Sequence, residues 1–275
     1  MSLFERSFAP EIKPEPEKFL RNGIDVSKWQ GDIDWKAVKD DGIDFAMIRL
    51  GLGSKNGSGF RLDSYFEKNV GGALEAGIDI GCYFYSYALT IEEAREEAQY
   101  VVDVLSTYNG FTYPIVLDME SAQQQELGKD LLTEIVIEFG KVIRGAGYYF
   151  MLYSNPSWLK YKLHDEMLSD IDHWLAEWKD EPTYKGEYGI WQHSSKGRIN
   201  GINGDVDLNV AYRDYPTIIP AAGLNRLNWY KDRFTLIDRF DLYNNVKKIY
   251  CAKCKKKSCK YCYVDGFKTL IGSAK

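Results

Sequence analysis

The chain has 275 residues, 45% of them hydrophobic and 27% charged, with a formal charge of −5. That balance is ordinary for a soluble globular protein, and no stretch approaches the roughly 20 apolar residues of a membrane-spanning helix. The length suits a single α/β barrel, typically about 250 residues, and the 15% aromatic share, with 20 Tyr and 7 Trp, fits a carbohydrate cleft because aromatic faces stack on sugar rings, although core packing is the default fate of any one ring.

Residues 1–21 read as a flexible leader. They carry Glu5, Glu11, Glu15 and Glu17 with Pro10, Pro14 and Pro16, and they lack the apolar core of a signal peptide. From residue 22 to 214 short apolar runs alternate with helical periods, the pattern of a parallel sheet with crossover helices. Strands are expected at about 23–28, 45–51, 78–86, 113–120, 148–154, 173–178, 188–194 and 206–211, and eight is the number that closes a barrel. Helices are expected at 62–76, closed by Gly77, and at 126–146, closed by Gly145 or Gly147. Thr90 and Glu93 have the spacing of a capping box and open a helix that turns Ala94, Ala98, Val101, Val102 and Leu105 inward. Ser154-Asn155-Pro156 puts Pro just inside another helix start. The connections after Trp178 and Ser194 are Gly-rich and too short for good helices. The expected fold class is therefore α/β: one irregular TIM-like barrel whose last strands join through loops or hairpins.

Within this frame the run Pro114-Ile115-Val116-Leu117-Asp118-Met119-Glu120 ends abruptly in two carboxylates. Two residues apart on a strand they share a face, about 6.6 Å apart along the backbone. A same-sided acid pair is what glycosidic bond cleavage needs, one carboxyl to protonate the leaving oxygen and one to stabilise or attack the sugar cation. The alternative is an acid that caps a following helix. Strand ends also carry Asp25, Arg49, Tyr85, Tyr153, Trp178, Gln192 and Asp207, and in an α/β barrel those ends surround one mouth. Each has a structural alternative: Arg49 as an anchor for acids, Gln192 as a partner for backbone groups, Tyr153 as core, Asp25 and Asp207 as turn residues. Trp29 and Trp174 read as core or wall. Crowding three aspartates around one glutamate disfavours ionisation of at least one group.

Other chemistries find little support. His164, His173 and His193 have no metal-ligand spacing, the glycines from Gly51 to Gly59 lack a Walker lysine and a dinucleotide fingerprint, no Gly-x-Ser-x-Gly elbow occurs, and Cys82 reads as buried core.

Gly23-Ile24-Asp25-Val26-Ser27-Lys28-Trp29-Gln30-Gly31, the Asp118 and Glu120 run, Trp174-Leu175-Ala176-Glu177-Trp178, Ile190-Trp191-Gln192 and Gly204-Asp205-Val206-Asp207-Leu208-Asn209-Val210, in this order, closely resemble glycoside hydrolase family 25. These are lysozymes that cut peptidoglycan as N-acetylmuramidases, and the resemblance spans about Asn22 to Tyr212. It implies cleavage of the β-1,4 bond between N-acetylmuramic acid and N-acetylglucosamine by a bacterial autolysin or a phage-type endolysin, without a cofactor for catalysis. It also implies Glu120 as the general acid and base, and an ionised Asp118 that assists the substrate's own acetamido group through a transient oxazoline with retention. Asp25 and Asp207 would orient the pair and bind sugar; the match to an Asp-Leu-Asn-Val ending selects Asp207 over Asp205. Tyr85, Tyr153 and Trp178 would be sugar platforms, with Gln192 and Arg49 completing the substrate site. Such an enzyme would work outside the cell or at the wall, and without a signal peptide it either has had one removed or is released at lysis. Rival readings are a silent barrel that binds wall glycan and a glycosidase for another N-acetylated polymer such as chitin.

Residues 215–275 read as a separate basic appendage, marked off by Pro216 and Pro220. Residues 213–275 hold 14 Lys and Arg against 5 Asp and Glu, a surplus that favours an anionic partner such as wall polymer, nucleic acid or a membrane surface, the alternative being a solvated face that offsets self-repulsion; a nucleic-acid protein led by this tail is the less favoured class. Cys251-x2-Cys254-x4-Cys259-x2-Cys262 presents two Cys-x2-Cys pairs. Structural zinc is the first expectation, two disulfides the alternative under oxidising conditions, and unpaired thiols the third.

Overall fold

A computed structural model describes residues 19–227 and, as backbone, a hairpin of β10 (Tyr261–Val264) and β11 (Phe267–Leu270). The expected leader lies largely outside the described residues. Eight strands close a barrel: β1 (Arg21–Val26), β2 (Phe45–Leu52), β4 (Asp79–Tyr85), β5 (Phe111–Asp118), β6 (Phe150–Ser154), β7 (Asp172–Ala176), β8 (Ile190–Gly197) and β9 (Val206–Ala211). Their spatial order is β1-β9-β8-β7-β6-β5-β4-β2, and β1 pairs with β2 to complete the circuit. A two-residue strand, β3 (Arg61–Leu62), hangs antiparallel on β2 at the rim.

Seven barrel strands run parallel, whereas β9 is antiparallel to both neighbours. No helix separates β7 from β8 or β8 from β9, as the short Gly-rich connections predict. This reversal matters for function, because it puts the start of β9, not its end, at the mouth where the parallel strands terminate.

The outer layer is α1 (Trp35–Asp40), α2 (Phe66–Glu75), α3 (Ile91–Leu105), α4 (Lys129–Gly145) and α5 (Pro156–Tyr161). Thr90 Oγ1 accepts from the Glu93 amide at 3.2 Å while the Glu93 carboxylate accepts from the Thr90 amide at 3.1 Å, so the capping box forms and fixes the entry of α3. Ala94, Ala98, Val101 and Leu105 then face the sheet, with Val102 only partly buried. At the end of α4 it is Gly147, at φ 84°, that takes the left-handed position, while Gly145 stays helical.

Inside the barrel, period-2 alternation sorts side chains by height. Phe45, Met47, Val116, Met151, Trp174, Ile190 and Ala211 form an apolar inner core, with Phe45 and Tyr113 stacked at 4.3 Å. One step further toward the mouth, the inward residues of the same strands become Arg49, Asp118, Tyr153, Gln192 and Asn209, with Asp207 one step beyond Asn209. The barrel is thus oily below and polar above.

The lower end is plugged by residues expected to belong to the appendage. α6 (Tyr215–Ala221) packs against the barrel, with Tyr215 and Ile219 fully buried. Asn225, also buried, accepts from the Tyr149 amide at 2.8 Å and donates to the carbonyls of Phe111 and Tyr113 at 3.0 and 2.9 Å. The boundary expected at 214 therefore runs through continuous packing, which extends to residue 227. Pro216 sits in the first turn of α6, where its missing N–H costs nothing, and so it marks a helix start, not a domain edge.

Candidate active site

The mouth encloses a cavity of about 310 Å³ that brings together all nine expected site residues: Asp25, Arg49, Tyr85, Asp118, Glu120, Tyr153, Trp178, Gln192 and Asp207. Tyr83, Trp174 and Ser195 line it as well. Register explains the convergence: Tyr85, Asp118 and Tyr153 are successive partners across β4, β5 and β6, and Asp25 is directly opposite Asp207 on β1 and β9.

The acid pair is not carried on one strand as the spacing suggested. β5 ends at Asp118, whose carbonyl accepts the Ser86 amide at 2.8 Å, and Glu120 lies beyond it in the loop. Asp118 is consequently buried, 5% exposed, while Glu120 is exposed at the rim. The helix-cap alternative does not occur, since no helix starts at either residue.

Asp25 is held by a relay of amides. Gln192 and Asn209, cross-strand partners on β8 and β9, each donate to Asp25 Oδ2 at 2.9 Å. The Gln192 carbonyl oxygen accepts from Tyr153 Oη and Trp178 Nε1, both at 3.0 Å. Trp174 Nε1 donates to Asn209 Oδ1 at 2.7 Å. With both amide oxygens occupied by donors, both NH₂ groups must face the carboxylate, which fixes its orientation.

Charge crowding and burial raise every acid of the site. Burial lifts the Asp25 carboxyl to about 7, helped by the charge of Asp207 and opposed by the Asn209 and Gln192 hydrogen bonds. Asp207 is pushed to about 6 by burial. Glu120 is raised by desolvation and by the Asp207 charge. Asp118 lies well above its ordinary range, chiefly through burial, then through Glu120 and Asp25, with Arg49 opposing. The expectation of an ionised Asp118 is not met by these surroundings, which disfavour its charge. Its Oδ1 is buried and has no protein partner.

Arg49 is an anchor, and its anchor point is a residue the sequence did not single out. Its Nε donates to Asp63 Oδ2 at 2.8 Å, with Nη2 at 2.6 Å from the same oxygen. Asp63 in turn accepts from the amides of Lys28 and Tyr65, tying the end of β1 and the start of α2 to the cavity floor. Glu177 does the same for the opposite wall: it accepts from the Thr183 amide and hydroxyl at 2.7 and 2.6 Å and pairs with Lys179 at 2.7 Å. These contacts hold its carboxyl down at about 2 and pin the loop that presents Trp178.

Trp178 is 61% exposed although its indole nitrogen is bonded to Gln192. Trp174 is buried in the cavity wall, but Trp29, expected as core or wall, is 75% exposed at the end of β1 with Lys28 Nζ 4.7 Å over its ring. Asp205 is spent on a surface pair with Arg198 at 2.8 Å. Among the missed residues, Asn209 had a signal: it lies two positions after Asp207 and so shares its face. Asp63 had none, because its partner is 14 residues away across a loop.

Cys82 is buried in β4. Among the described residues no three His, Cys, Asp or Glu side chains cluster as a metal ion would require. The side chains of Cys251, Cys254, Cys259 and Cys262, with their expected zinc or disulfides, lie outside the described residues.

Comparison with known proteins places this geometry in a family. The model of "Glycosyl hydrolases family 25" matches residues 24–202. "Uncharacterized protein YegX" of Escherichia coli strain K12 is 31% identical over 213 residues, 74% of this chain and 73% of that one. The crystal structure of a bacterial lysozyme from Streptomyces coelicolor superposes with a TM-score of 0.63 at 27% identity, covering 75% of this chain and 98% of that one. The modular autolysin LytC from Streptococcus pneumoniae, solved with a synthetic peptidoglycan ligand, gives 0.63 at 27% identity over 70% of this chain; the chain spans about half of LytC, 47%.

Proposed function

The chain belongs to glycosyl hydrolase family 25, and from that membership we propose that it is a lysozyme that cleaves the β-1,4 bond between N-acetylmuramic acid and N-acetylglucosamine in bacterial peptidoglycan. The observation that carries the reading is the division of labour among four acids in one cavity: Glu120 exposed at the rim with its proton favoured, and Asp118 buried below with an unpartnered oxygen.

In this reading Glu120 protonates the leaving glycosidic oxygen as the bond to the anomeric carbon breaks. The carbonyl oxygen of the substrate's own 2-acetamido group attacks that carbon, giving an oxazoline. The acetamido N–H donates to the Asp118 carboxyl, and a hydrogen bond to the charged form favours it, so substrate binding promotes loss of the Asp118 proton to solvent and leaves the carboxylate that stabilises the developing positive charge. Glu120, now anionic, takes a proton from water, which opens the oxazoline with overall retention. Asp207 keeps the field at Glu120 negative and its proton in place, and Asp25, held by two amides, lies directly opposite Asp207. Tyr85, Tyr153 and Trp178 supply sugar-facing rings.

No cofactor has a part in this chemistry. The site of action would be the wall, reached from outside the cell or upon lysis, and the basic segment after residue 227 would add attraction to anionic wall polymers. Clearing of purified walls by wild-type protein and by Glu120→Gln tests the reading. The amide cannot deliver a proton, so a loss of about 10²–10⁴-fold is expected; retention of more than about a tenth of activity would remove Glu120 from this role.

A further inference from the structure

A second cavity of about 710 Å³ adjoins the catalytic one, and Trp178 and Ser195 line both. Its other walls include Lys179, Lys196, His193 and Asp180. Resting on the peptidoglycan reading, we propose that this annex binds the carboxylate-bearing peptide stem of the muramyl residue, so that the enzyme recognises peptide-substituted glycan over bare glycan.

The charges argue for it. The catalytic cavity gathers Asp25, Asp118, Glu120 and Asp207, and its one cation, Arg49, is already committed to Asp63. A stem bearing carboxylates is repelled from that cavity and needs a cationic neighbour to enter. The annex provides one in Lys196, which faces a stem together with the single carboxylate of Asp180 in place of the four acids of the catalytic cavity. Lys196 is exposed on β8 and makes no ion pair among the described residues, whereas Lys179 is partly neutralised by Glu177. His193, its pKa lowered by burial, is a neutral hydrogen-bonding group near pH 7.

Size and position agree. The annex has more than twice the volume of the catalytic cavity, room for several amino-acid residues in place of one sugar substituent. Trp178 is fixed through its Nε1 to Gln192, so it stands as a shared wall, and a sugar seated against it has the annex as its neighbour.

The test compares kcat/KM on two preparations of one glycan: strands with stems intact and the same strands stripped of stems by an amidase. Wild-type protein should prefer the stem-bearing strands, and the preference should narrow between about 20 and about 300 mM salt as screening grows. Lys196→Glu should cut the ratio about tenfold, through KM and not kcat, and Lys196→Arg should keep it. Equal ratios in wild type and Lys196→Glu would overturn the annex while leaving lysozyme activity standing. Failure to cut either strand would remove the lysozyme reading and the annex with it.

Discussion

At Asp118 the fold holds an acid where water barely reaches, and the same is true in lesser degree of Asp25 and Asp207. Such acids weaken the empty fold above neutrality. The folded-state pKa values of Asp25 and Asp207, about 7 and about 6, exceed the ordinary 3.8, so between these limits the native state binds more protons than the unfolded chain. That contribution is complete below about pH 4 and is lost as pH rises through 7. Glu177, lowered to about 2 from 4.5, acts oppositely and loses its contribution as pH falls toward 2. Stability should therefore peak near pH 4 and fall from there as pH rises through 7. Asp118→Asn removes a buried charge, so its melting temperature should exceed wild type by roughly 3–6 °C at pH 8 and by less at pH 5.5, even as activity collapses. Calorimetry at the two pH values checks this, and destabilisation at pH 8 would mean that the carboxylate is well solvated or paired.

At the level of elements, the eight strands were legible because apolar runs bounded by turn residues recur at barrel spacing, and Asp25, Asp118, Glu120 and Asp207 were legible because each interrupts such a run. Two departures bear on the site and its support. Glu120 leaves β5 because the strand ends where its pairing with β4 and β6 ends, at Asp118, and the plug after residue 214 was read as appendage because Pro216 and Pro220 look like punctuation when α6's packing against the barrel is unseen. Asp63 and Glu177 brace the two walls through contacts set by tertiary structure; Asp63 left no pattern in the chain, and Glu177 stood in the Trp174–Trp178 motif with no sign of its bracing part. Asn225 carries the plug's polar anchoring: at φ 53° it occupies a left-handed conformation that Asn tolerates, and it satisfies one amide and two carbonyls. Asn225→Ala should cost about 2–3 kcal/mol, since those groups stay buried without partners. A chain ending at 214 should unfold well below one ending at 227. Equal melting temperatures for the two truncations would show that the plug is dispensable.

For the whole molecule, charge is divided between an acidic barrel and a basic end: residues 213–275 carry nine more positive than negative charges against the chain's overall −5. Ending the chain at residue 227 should leave turnover of soluble fragments near wild type and weaken retention on intact walls, most at low salt where the surplus is least screened. Co-sedimentation with walls across a salt series measures this, and equal retention of both forms at low salt would free the basic segment of any wall-binding part. Which glycosidic bond is cut decides whether the cavity works as a muramidase. Mass spectrometry of borohydride-reduced digestion products reads that bond directly: muramitol is expected at the new reducing ends, and N-acetylglucosaminitol in its place would show that the enzyme is not a muramidase.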